Sequence, residues 1–459
     1  MKERFLKERI HFIGAGGVSM SALAQDALVR RWLVSGSDVH CNGFTDKLKA
    51  LGAYVYEGGD TDVIESAERV VYSSAIKEDD RELSYARERG IPCIPRSEYL
   101  AEVADGCKIC VAVGGIHGKS TVTSLTASAL KSAGKRITAH IGAEALDLGG
   151  NYFNSGRDFF VTEACEYRGN FLALAPDIAV ILNVEMDHPD YYGDEESVYD
   201  NFRRFTQRIK TGGKLIINSD EKYKRVYEDV KNIGVITFGI NDGDYSARNL
   251  RKIEGHNGGY VFDLYVDGIF RTEINNKLFG RHNVLNALAC LAVADACGAE
   301  SDAAIRAIES FKGVKRRFEI LCLYNSCHII SDYAHHPSEI RATIASAKEV
   351  FGESVAVCFQ PHTYSRTERL MNEFLTCFDG ADRLIIAREY AARETPDMGK
   401  SAYELYLAIK EEKRFDEKKL AYADEFGKLK RLVKEEMKNY TCLLVLGAGD
   451  MAEGFENFL

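Results

Sequence analysis

The stretch Ile109-Cys110-Val111-Ala112-Val113-Gly114-Gly115-Ile116-His117-Gly118-Lys119-Ser120-Thr121 constrains this chain more than any other. Its apolar run from Ile109 to Val113 predicts a buried strand. The glycines that follow hand Gly118-Lys119-Ser120 to a helix-period pattern in which Val122, Leu125 and Ala129 share one face, with Gly134 as the stop. Glycine lets backbone N–H groups approach phosphate oxygens, and a helix N-terminus adds partial positive charge. In such a cradle Lys119 reaches the outer phosphates and the Ser120 hydroxyl binds magnesium. Val113 stands where the usual phosphate-loop pattern has its first glycine. Taken alone, the stretch reads as either a nucleotide site or an ordinary strand–turn–helix corner.

A chain of 459 residues exceeds one ordinary core, so about two to four domains are expected. The net charge of −10 disfavours nucleic acid or an anionic membrane as a general partner, so an anionic substrate needs a local basic site. No apolar run reaches membrane-spanning length, and Met1-Lys2-Glu3-Arg4 is charged with no signal-peptide core behind it; the expectation is a cytoplasmic protein. The twelve cysteines are scattered, many within apolar patterns, and read as reduced core thiols. Cys107 and Cys110 have the spacing of a redox or zinc pair, but no second pair accompanies them.

From the N-terminus, Ile10-His11-Phe12-Ile13 reads as a strand, followed by Gly14-Ala15-Gly16-Gly17 and a helix with Met20, Leu23, Ala24, Ala27 and Leu28 on one face. This is a dinucleotide-type turn whose third glycine position falls on Ser19. A strand near Leu33-Val34 ends in Gly36-Ser37-Asp38, which supplies an acidic residue at the usual distance. A nicotinamide and a uridine nucleotide could both use such a turn. Strands at Val70-Val71-Tyr72 and from Ile91 to Ile94 complete a small α/β unit ending near Asp105.

The central region adds Phe159-Phe160-Val161-Thr162 running into Glu163, and Ile178-Ala179-Val180-Ile181-Leu182 running into Asn183 and then Asp187-His188. Polar residues at strand C-termini gather at the ligand edge of a parallel sheet. Glu163 and His188 are therefore metal-ligand candidates; the plainer readings are a helix cap for Glu163 and a surface turn for His188. Between Tyr245 and Ile274 the period changes to two, with Asp267-Gly268 as a hairpin turn and Asn257-Gly258 as another, so a β-insertion is expected. Gly280-Arg281-His282-Asn283 then opens a helix on which Asn283 and Asn286 share a face, suited to a base edge or to capping.

Lys315-Arg316-Arg317-Phe318 packs three basic residues into a loop that is either solvated or a phosphate clamp. Beyond Leu321, strands at Ile329-Ile330-Ser331-Asp332, Val355 to Phe359, Leu384-Ile385-Ile386 and Leu443 to Leu446 predict a third, parallel α/β domain. Tyr333-Ala334-His335-His336-Pro337, His362-Thr363-Tyr364-Ser365-Arg366 and Gly447-Ala448-Gly449-Asp450 lie at its strand ends and mark a site. The charged stretches 410–419 and 428–438 read as solvated faces.

In this order the motifs resemble the Mur ligases over essentially the whole chain. The landmarks are His11 to Met20, Gly36-Ser37-Asp38, Ser73-Ser74-Ala75-Ile76, the His117-Gly118-Lys119-Ser120-Thr121 loop, Glu163-Ala164-Cys165-Glu166-Tyr167-Arg168, Asp187-His188, Gly280-Arg281-His282-Asn283, Lys315-Arg316-Arg317-Phe318, Asp332-Tyr333-Ala334-His335-His336-Pro337 and Phe359-Gln360-Pro361-His362. The Glu163 to Arg168 form resembles a Gram-positive branch. The resemblance implies an α/β protein of three domains. Residues 1–106 are Rossmann-like and bind the UDP-sugar; residues 107–321 are a P-loop ATPase-type, mostly parallel sheet with the β-insertion and bind ATP; residues 322–459 are Rossmann-like, bring the amino acid and close over the others.

The resemblance further implies ATP-dependent ligation of L-alanine to the lactyl carboxylate of UDP-N-acetylmuramate, through an acyl phosphate, in peptidoglycan precursor synthesis. A relative adding another amino acid or a recycled murein peptide is the alternative. It assigns Gly14, Gly16, Gly17, Ser37, Asp38, Ser73 and Ser74 to the sugar nucleotide. ATP falls to Gly115, His117, Gly118, Lys119, Ser120, Thr121, Asn283, Arg317 and Asp332, the last on ribose. Magnesium falls to Ser120, Glu163 and His188. Arg366 would pair with the alanine carboxylate beside Tyr333 and His362. His336 or His362 would accept the amine proton, and either His335 or His336 could instead be a structural hydrogen-bonder. Ser331 stands where other members carry aspartate, and Thr363 where some carry arginine. Whether the chain is a monomer or a homodimer stays open.

Overall fold

The computed structural model describes residues 8–188, 191–253, 258–352, 354–392 and 394–456. The expected turn residue Asn257 lies outside the described residues. Three sheets organise the chain. The first takes β1 (Arg9–Ile13), β2 (Leu33–Asp38), β3 (Tyr54–Glu57), β4 (Arg69–Tyr72) and β5 (Cys93–Pro95) in the order β3-β2-β1-β4-β5, all parallel. The order reverses between β1 and β4, where a doubly wound sheet opens its crevice.

The second sheet is built from β6 (Ile109–Gly114), β7 (Ile137–Ala145), β8 (Gly150–Asn154), β9 (Phe159–Glu163), β10 (Ile178–Ile181), β11 (Lys214–Asn218) and β12 (Gly234–Ile240). Its run β12-β11-β10-β6-β9-β7 is parallel, and β8 pairs antiparallel with β7. Val111, Val113, Ala179, Val180 and Ile181 are fully buried. A parallel sheet covered on both faces needs such unbroken apolar runs, which is why the β6 and β10 patterns are continuous and not alternating.

The insertion follows as β13 (Tyr245–Lys252), β14 (Tyr260–Val266) and β15 (Ile269–Asn276). β14 and β15 form an antiparallel hairpin across Asp267-Gly268, both of which adopt positive φ (52° and 74°) as a two-residue turn of this kind requires. The third sheet takes β16 (Glu319–Tyr324), β17 (Cys327–Asp332), β18 (Val355–Phe359), β19 (Arg383–Ala387), β20 (Leu420–Ala423) and β21 (Cys442–Leu446) in the order β16-β17-β21-β18-β19-β20. It is parallel except for β16, which pairs antiparallel with β17. Two apolar layers, one holding Ile340, Phe359, Phe374 and Leu405 and the other Cys358, Ile385, Leu429 and Val433, cover its faces.

The three-domain α/β expectation holds, with small shifts at element level. The strand expected from Ile91 begins at Cys93, and the expected solvated face over 428–438 belongs to the helix Phe426–Glu436, which buries Leu429 and Val433. The chain packs as two compact units. One contains residues up to 184, 199–246 and 286–308; the other contains 185–198, 247–285 and 309 onward.

Candidate functional site

In the first unit, β6 ends at Gly114 and the helix Lys119–Ser132 begins five residues on. Gly118 is the residue before that helix and lies in the left-handed region (φ 87°). A Cβ there would sit 2.9 Å from Asn286 Oδ1, so both backbone angle and space require glycine. Asn183, just beyond β10, braces the turn from below. Its Oδ1 accepts the His117 N–H at 2.8 Å, and its Nδ2 donates to the His117 carbonyl at 3.1 Å. Lys119 Nζ donates to the Gly115 and Ile116 carbonyls at 2.6 and 2.9 Å and lies 2.9 Å from Glu166 Oε2. Burial opposes the Lys119 charge, but the carboxylates of Glu166 and Glu163 outweigh it and hold the ammonium above its usual range. The turn thus keeps one cation ready beside a row of backbone N–H groups, with the Ser120 side chain buried at the helix start.

β9 delivers Glu163 to the same sheet edge, in register with Val113 of β6. Glu163 does not cap a helix; its Oε1 accepts the backbone N–H of Gly142 at 2.6 Å. Among the described residues no three His, Cys, Asp or Glu side chains gather into a metal cluster.

At the reversal point of the first sheet, Gly14 and Ala15 donate their N–H groups to the Ser37 carbonyl at 2.9 Å each. Asp38 Oδ2 accepts the Gly16 N–H at 2.8 Å, and Asn42 Nδ2 donates to the Gly16 carbonyl at 3.1 Å. Ser37 donates its hydroxyl to the buried Glu82 carboxyl, which also receives Tyr56 Oη at 2.5 Å. Burial raises the Glu82 pKa and lowers that of its neighbour His11 to about 4. Ser73 and Ser74 follow β4 on the other side of the crevice, with Ser73 donating its N–H to Ile13. Gly14, Gly16, Gly17, Ser37, Asp38, Ser73 and Ser74 therefore converge at one place, though Ser37 and Asp38 spend their side chains on holding the turn.

In the second unit, Asp332 at the end of β17 accepts two backbone N–H groups, from Phe318 at 2.7 Å and Ala334 at 2.8 Å. Burial raises its pKa to about 6, against the pull of Arg317. It ties the basic loop to the loop after β17, while the Ser331 hydroxyl beside it is buried without a hydrogen-bond partner. Arg316 Nη2 donates to the Gly447 and Gly449 carbonyls at 2.6 and 2.8 Å; Arg316 and Arg317 both lie over the Tyr333 ring. Asn283 donates Nδ2 to the Phe279 carbonyl at 2.6 Å and thus serves its own helix start. His336 caps the helix Pro337–Phe351 through Nδ1, reciprocated by Glu339. His335 Nδ1 lies 3.0 Å from the Tyr333 carbonyl, and burial with nearby Arg366 lowers its pKa to about 3.

The same unit brings together Asp187, His188, His335, His362 and Arg366. His188 adopts a positive φ of 51° and donates its N–H to Asp187 Oδ1 at 2.6 Å. Arg366 Nη2 stands 3.9 Å from Asp187 Oδ1. Burial opposes the Asp187 charge, but His188, Arg366, His336 and His335 overcome it and hold the carboxyl well below its usual range. Two buried polar atoms here have no hydrogen-bond partner: Arg366 Nη1 and His362 Nδ1. Buried polar groups are normally satisfied, which makes this pair a candidate position for a polar ligand. Burial and Arg366 lower the His362 pKa to about 4, so its imidazole is neutral near pH 7.

Asn183, Glu166, Asn42 and Gly142 were not singled out as site residues by the sequence. Glu166 carries a signal through the Glu163 to Arg168 motif, and Asn183 through its place at the polar end of β10.

Three family models match along the chain: Mur ligase family, catalytic domain, over residues 9–107; Mur ligase middle domain, over 113–294; and Mur ligase, glutamate ligase domain, over 316–449. Similar proteins include the UDP-N-acetylmuramate–L-alanine ligase of Clostridium acetobutylicum, 38% identical over 99% of this chain and 98% of that protein. The ligase of the same name from Clostridium perfringens is 36% identical over 99% and 98%. Among solved structures, UDP-N-acetylmuramate-alanine ligase from Thermotoga maritima superposes with a TM-score of 0.82 at 27% identity, covering 98% of both chains. A murein peptide ligase from Psychrobacter arcticus, 20% identical, shares the fold with a TM-score of 0.76 over 98% of both.

Proposed function

The chain belongs to the Mur ligase family, and from that footing we propose that it joins L-alanine to the lactyl carboxylate of UDP-N-acetylmuramate at the expense of ATP, in the building of peptidoglycan precursors. The observation that carries the reading is the Lys119 turn: a buried, charged ammonium held by Gly115, Ile116 and Glu166 at the start of a helix. In this reading residues 1–106 take the sugar nucleotide, 107–321 the ATP and 322–459 the amino acid.

Oxygen donors of the kind magnesium prefers are present in Ser120 and Glu163, and magnesium keeps much of its shell for water and phosphate, so a dense protein cluster is not required. Ser120 and Glu163 would hold one ion and His188 another; when bound, magnesium neutralises charge on the phosphate oxygens. Lys119 adds its own charge to the transferring phosphoryl group, and Gly115, His117, Gly118 and Thr121 shape the turn around it. Asn283 would meet the adenine, Arg317 a phosphate and Asp332 the ribose.

A carboxylate acylates amines poorly. The lactyl carboxylate oxygen therefore attacks the γ-phosphorus, the bond to ADP breaks, and an acyl phosphate results. The neutral amine of L-alanine then attacks the acyl carbon, and phosphate departs. Arg366, with Nη1 buried and unpartnered, suits the alanine carboxylate, beside Tyr333. Of the two candidate proton acceptors His362 is the better suited, because its Nδ1 has no partner while His336 uses Nδ1 as a helix cap.

The test is phosphate release from ATP and magnesium with UDP-N-acetylmuramate present and L-alanine, glycine, L-serine, D-glutamate or the recycled tripeptide added singly. Release that needs both the sugar nucleotide and L-alanine is the expected result. Release with the tripeptide alone would make the chain a recycling ligase, and no release with any of them would remove the ligase reading.

A further inference from the structure

His140 on β7 is buried with both ring nitrogens engaged, one by the helix that follows β1 and the other by the neighbouring strand β9. Nε2 lies 2.9 Å from Ser19 Oγ, in the first turn of the helix Val18–Val29 that follows the Gly14-Gly16-Gly17 turn. Nδ1 lies 3.0 Å from Thr162 Oγ1, on β9 immediately before Glu163. One proton assignment satisfies all of these contacts together. In it Thr162 donates its hydroxyl to the Glu163 carbonyl at 3.1 Å and accepts from Nδ1–H. Nε2 is then the acceptor and takes the Ser19 hydroxyl proton, while Ser19 Oγ accepts Arg96 Nη1–H at 3.1 Å. The result is one directed chain, Arg96 to Ser19 to His140 to Thr162 to the Glu163 backbone, consistent with burial and Arg96 keeping the imidazole neutral (pKa lowered to about 3).

The attachment of the glycine-turn helix to the second sheet does not depend on this chain. Asp26 accepts from Arg30 at 2.7 Å, Tyr152 at 2.9 Å and Arg157 at 2.7 Å, and Asn151 Nδ2 donates to the Val18 carbonyl at 2.6 Å and to Ser21 Oγ at 2.7 Å. Asp26 lies about two turns further along that helix, while Asn151 grips its first turn on either side of Ser19. What the His140 chain adds is local: it sets where the glycine turn stands relative to Glu163.

We infer that His140 is a positioning residue, which through Ser19 and Thr162 fixes the distance between the sugar-nucleotide turn and the Glu163 carboxylate. The inference rests on the ligase reading of those two ends. Errors of about an ångström in such a distance cost roughly 100-fold in rate while leaving binding of each substrate nearly intact. An imidazole suits this task because it spans two hydroxyls at fixed separation with one nitrogen donating and the other accepting.

The experiment measures kcat, KM for ATP, KM for the sugar nucleotide and Tm on the full chain carrying His140→Leu, Ser19→Ala, Ser19→Thr, Thr162→Val, Thr162→Ser or Tyr152→Phe. Expected are losses in kcat of about 10- to 100-fold for His140→Leu, Ser19→Ala and Thr162→Val, with KM for ATP changed less than about threefold. Ser19→Thr and Thr162→Ser, which keep the hydroxyls, recover most of the rate. Tyr152→Phe, which loosens only the Asp26 cluster, lowers Tm and spares kcat. The inference is overturned if His140→Leu turns over like the unaltered chain, if the hydroxyl-keeping variants are as slow as the hydroxyl-less ones, or if Tyr152→Phe loses as much kcat as His140→Leu. If the unaltered chain itself shows no phosphate release dependent on the sugar nucleotide, the ligase reading falls first, and this inference with it.

Discussion

Gly142 donates its backbone N–H to Glu163 Oε1 at 2.6 Å, and a Cβ added to residue 142 would lie 2.7 Å from that residue's other carboxylate oxygen. The carboxylate that would hold magnesium is thus positioned by the absence of a side chain on the neighbouring strand. Gly142→Ala must push Glu163 aside, since contacts under about 3 Å between a methyl carbon and oxygen are not tolerated. We expect a folded protein whose turnover falls at least about 10-fold and whose magnesium requirement rises, because the lost group acts through the metal-dependent step. A magnesium titration of phosphate release checks this; an unchanged titration curve would remove Glu163 from the site.

Lys119 and Glu166 form a buried pair, 15% and 2% exposed, so stability and function can be separated there. Lys119→Ala leaves the Glu166 carboxylate buried without its ammonium partner, a change that typically costs about 3 kcal/mol or more. Turnover should fall at least about 100-fold as phosphoryl charge loses its counter-charge. The double variant Lys119→Ala/Glu166→Gln is expected to recover much of the lost stability in urea unfolding and none of the activity. Activity returning together with stability would mean that Lys119 is structural only.

Much of this arrangement was legible in the residues, because the strands that carry it are buried on both faces and their ends are polar. The runs Ile109 to Val113 and Ile178 to Leu182 announce both their strands and the residues that follow them. Partnerships made through the backbone carry no such signature. Asp332 reads as a ligand residue, but its second role, accepting the N–H groups of Phe318 and Ala334 with one oxygen each, is invisible in the sequence because any residue type could supply those partners. His140 sits in an otherwise unremarkable strand, and its two hydroxyl partners are 121 and 22 residues away. β20 escaped notice because its four residues follow directly on a lysine- and glutamate-rich stretch whose charge outweighs so short an apolar signal.

His11 makes a pH prediction with a definite sign. It is fully buried, hydrogen-bonded to Ser35 Oγ at 2.9 Å, and burial lowers its pKa to about 4 against about 6.5 in an unfolded chain. Above pH 6.5 the imidazole is neutral in both states and its contribution is whole. As the pH falls from 6.5 towards 4, only the unfolded chain takes up the proton, and stability drops by up to about 1.4 kcal/mol per pH unit. His140, His335 and His362 are lowered likewise and act in the same sense; Glu82 is raised and acts in the opposite one. The contribution of His11 is isolated by comparison with His11→Asn, which keeps an amide near Ser35 and does not titrate. Its Tm should decline less steeply between pH 7 and pH 5, and parallel declines would show that His11 is not desolvated.

Arg366 offers the sharpest separation of substrates. Its guanidinium is 12% exposed, stands 3.9 Å from Asp187 and leaves Nη1 buried without a partner, a state that a bound carboxylate would relieve. A planar fork matches a carboxylate with two parallel hydrogen bonds, which a lysine ammonium cannot reproduce. Arg366→Lys is therefore expected to raise KM for L-alanine about 10-fold or more, equivalent to at least about 1.4 kcal/mol, while KM for ATP stays within about twofold. Arg366→Ala should cost more, because it also removes the cation that helps keep Asp187 ionised. Steady-state kinetics with L-alanine varied at saturating ATP, then the reverse, distinguish this from general damage to the domain, in which both KM values would move together. A lysine variant with unaltered KM for L-alanine would mean that the amino-acid carboxylate binds elsewhere, and that the unpartnered Arg366 nitrogen serves a different anion.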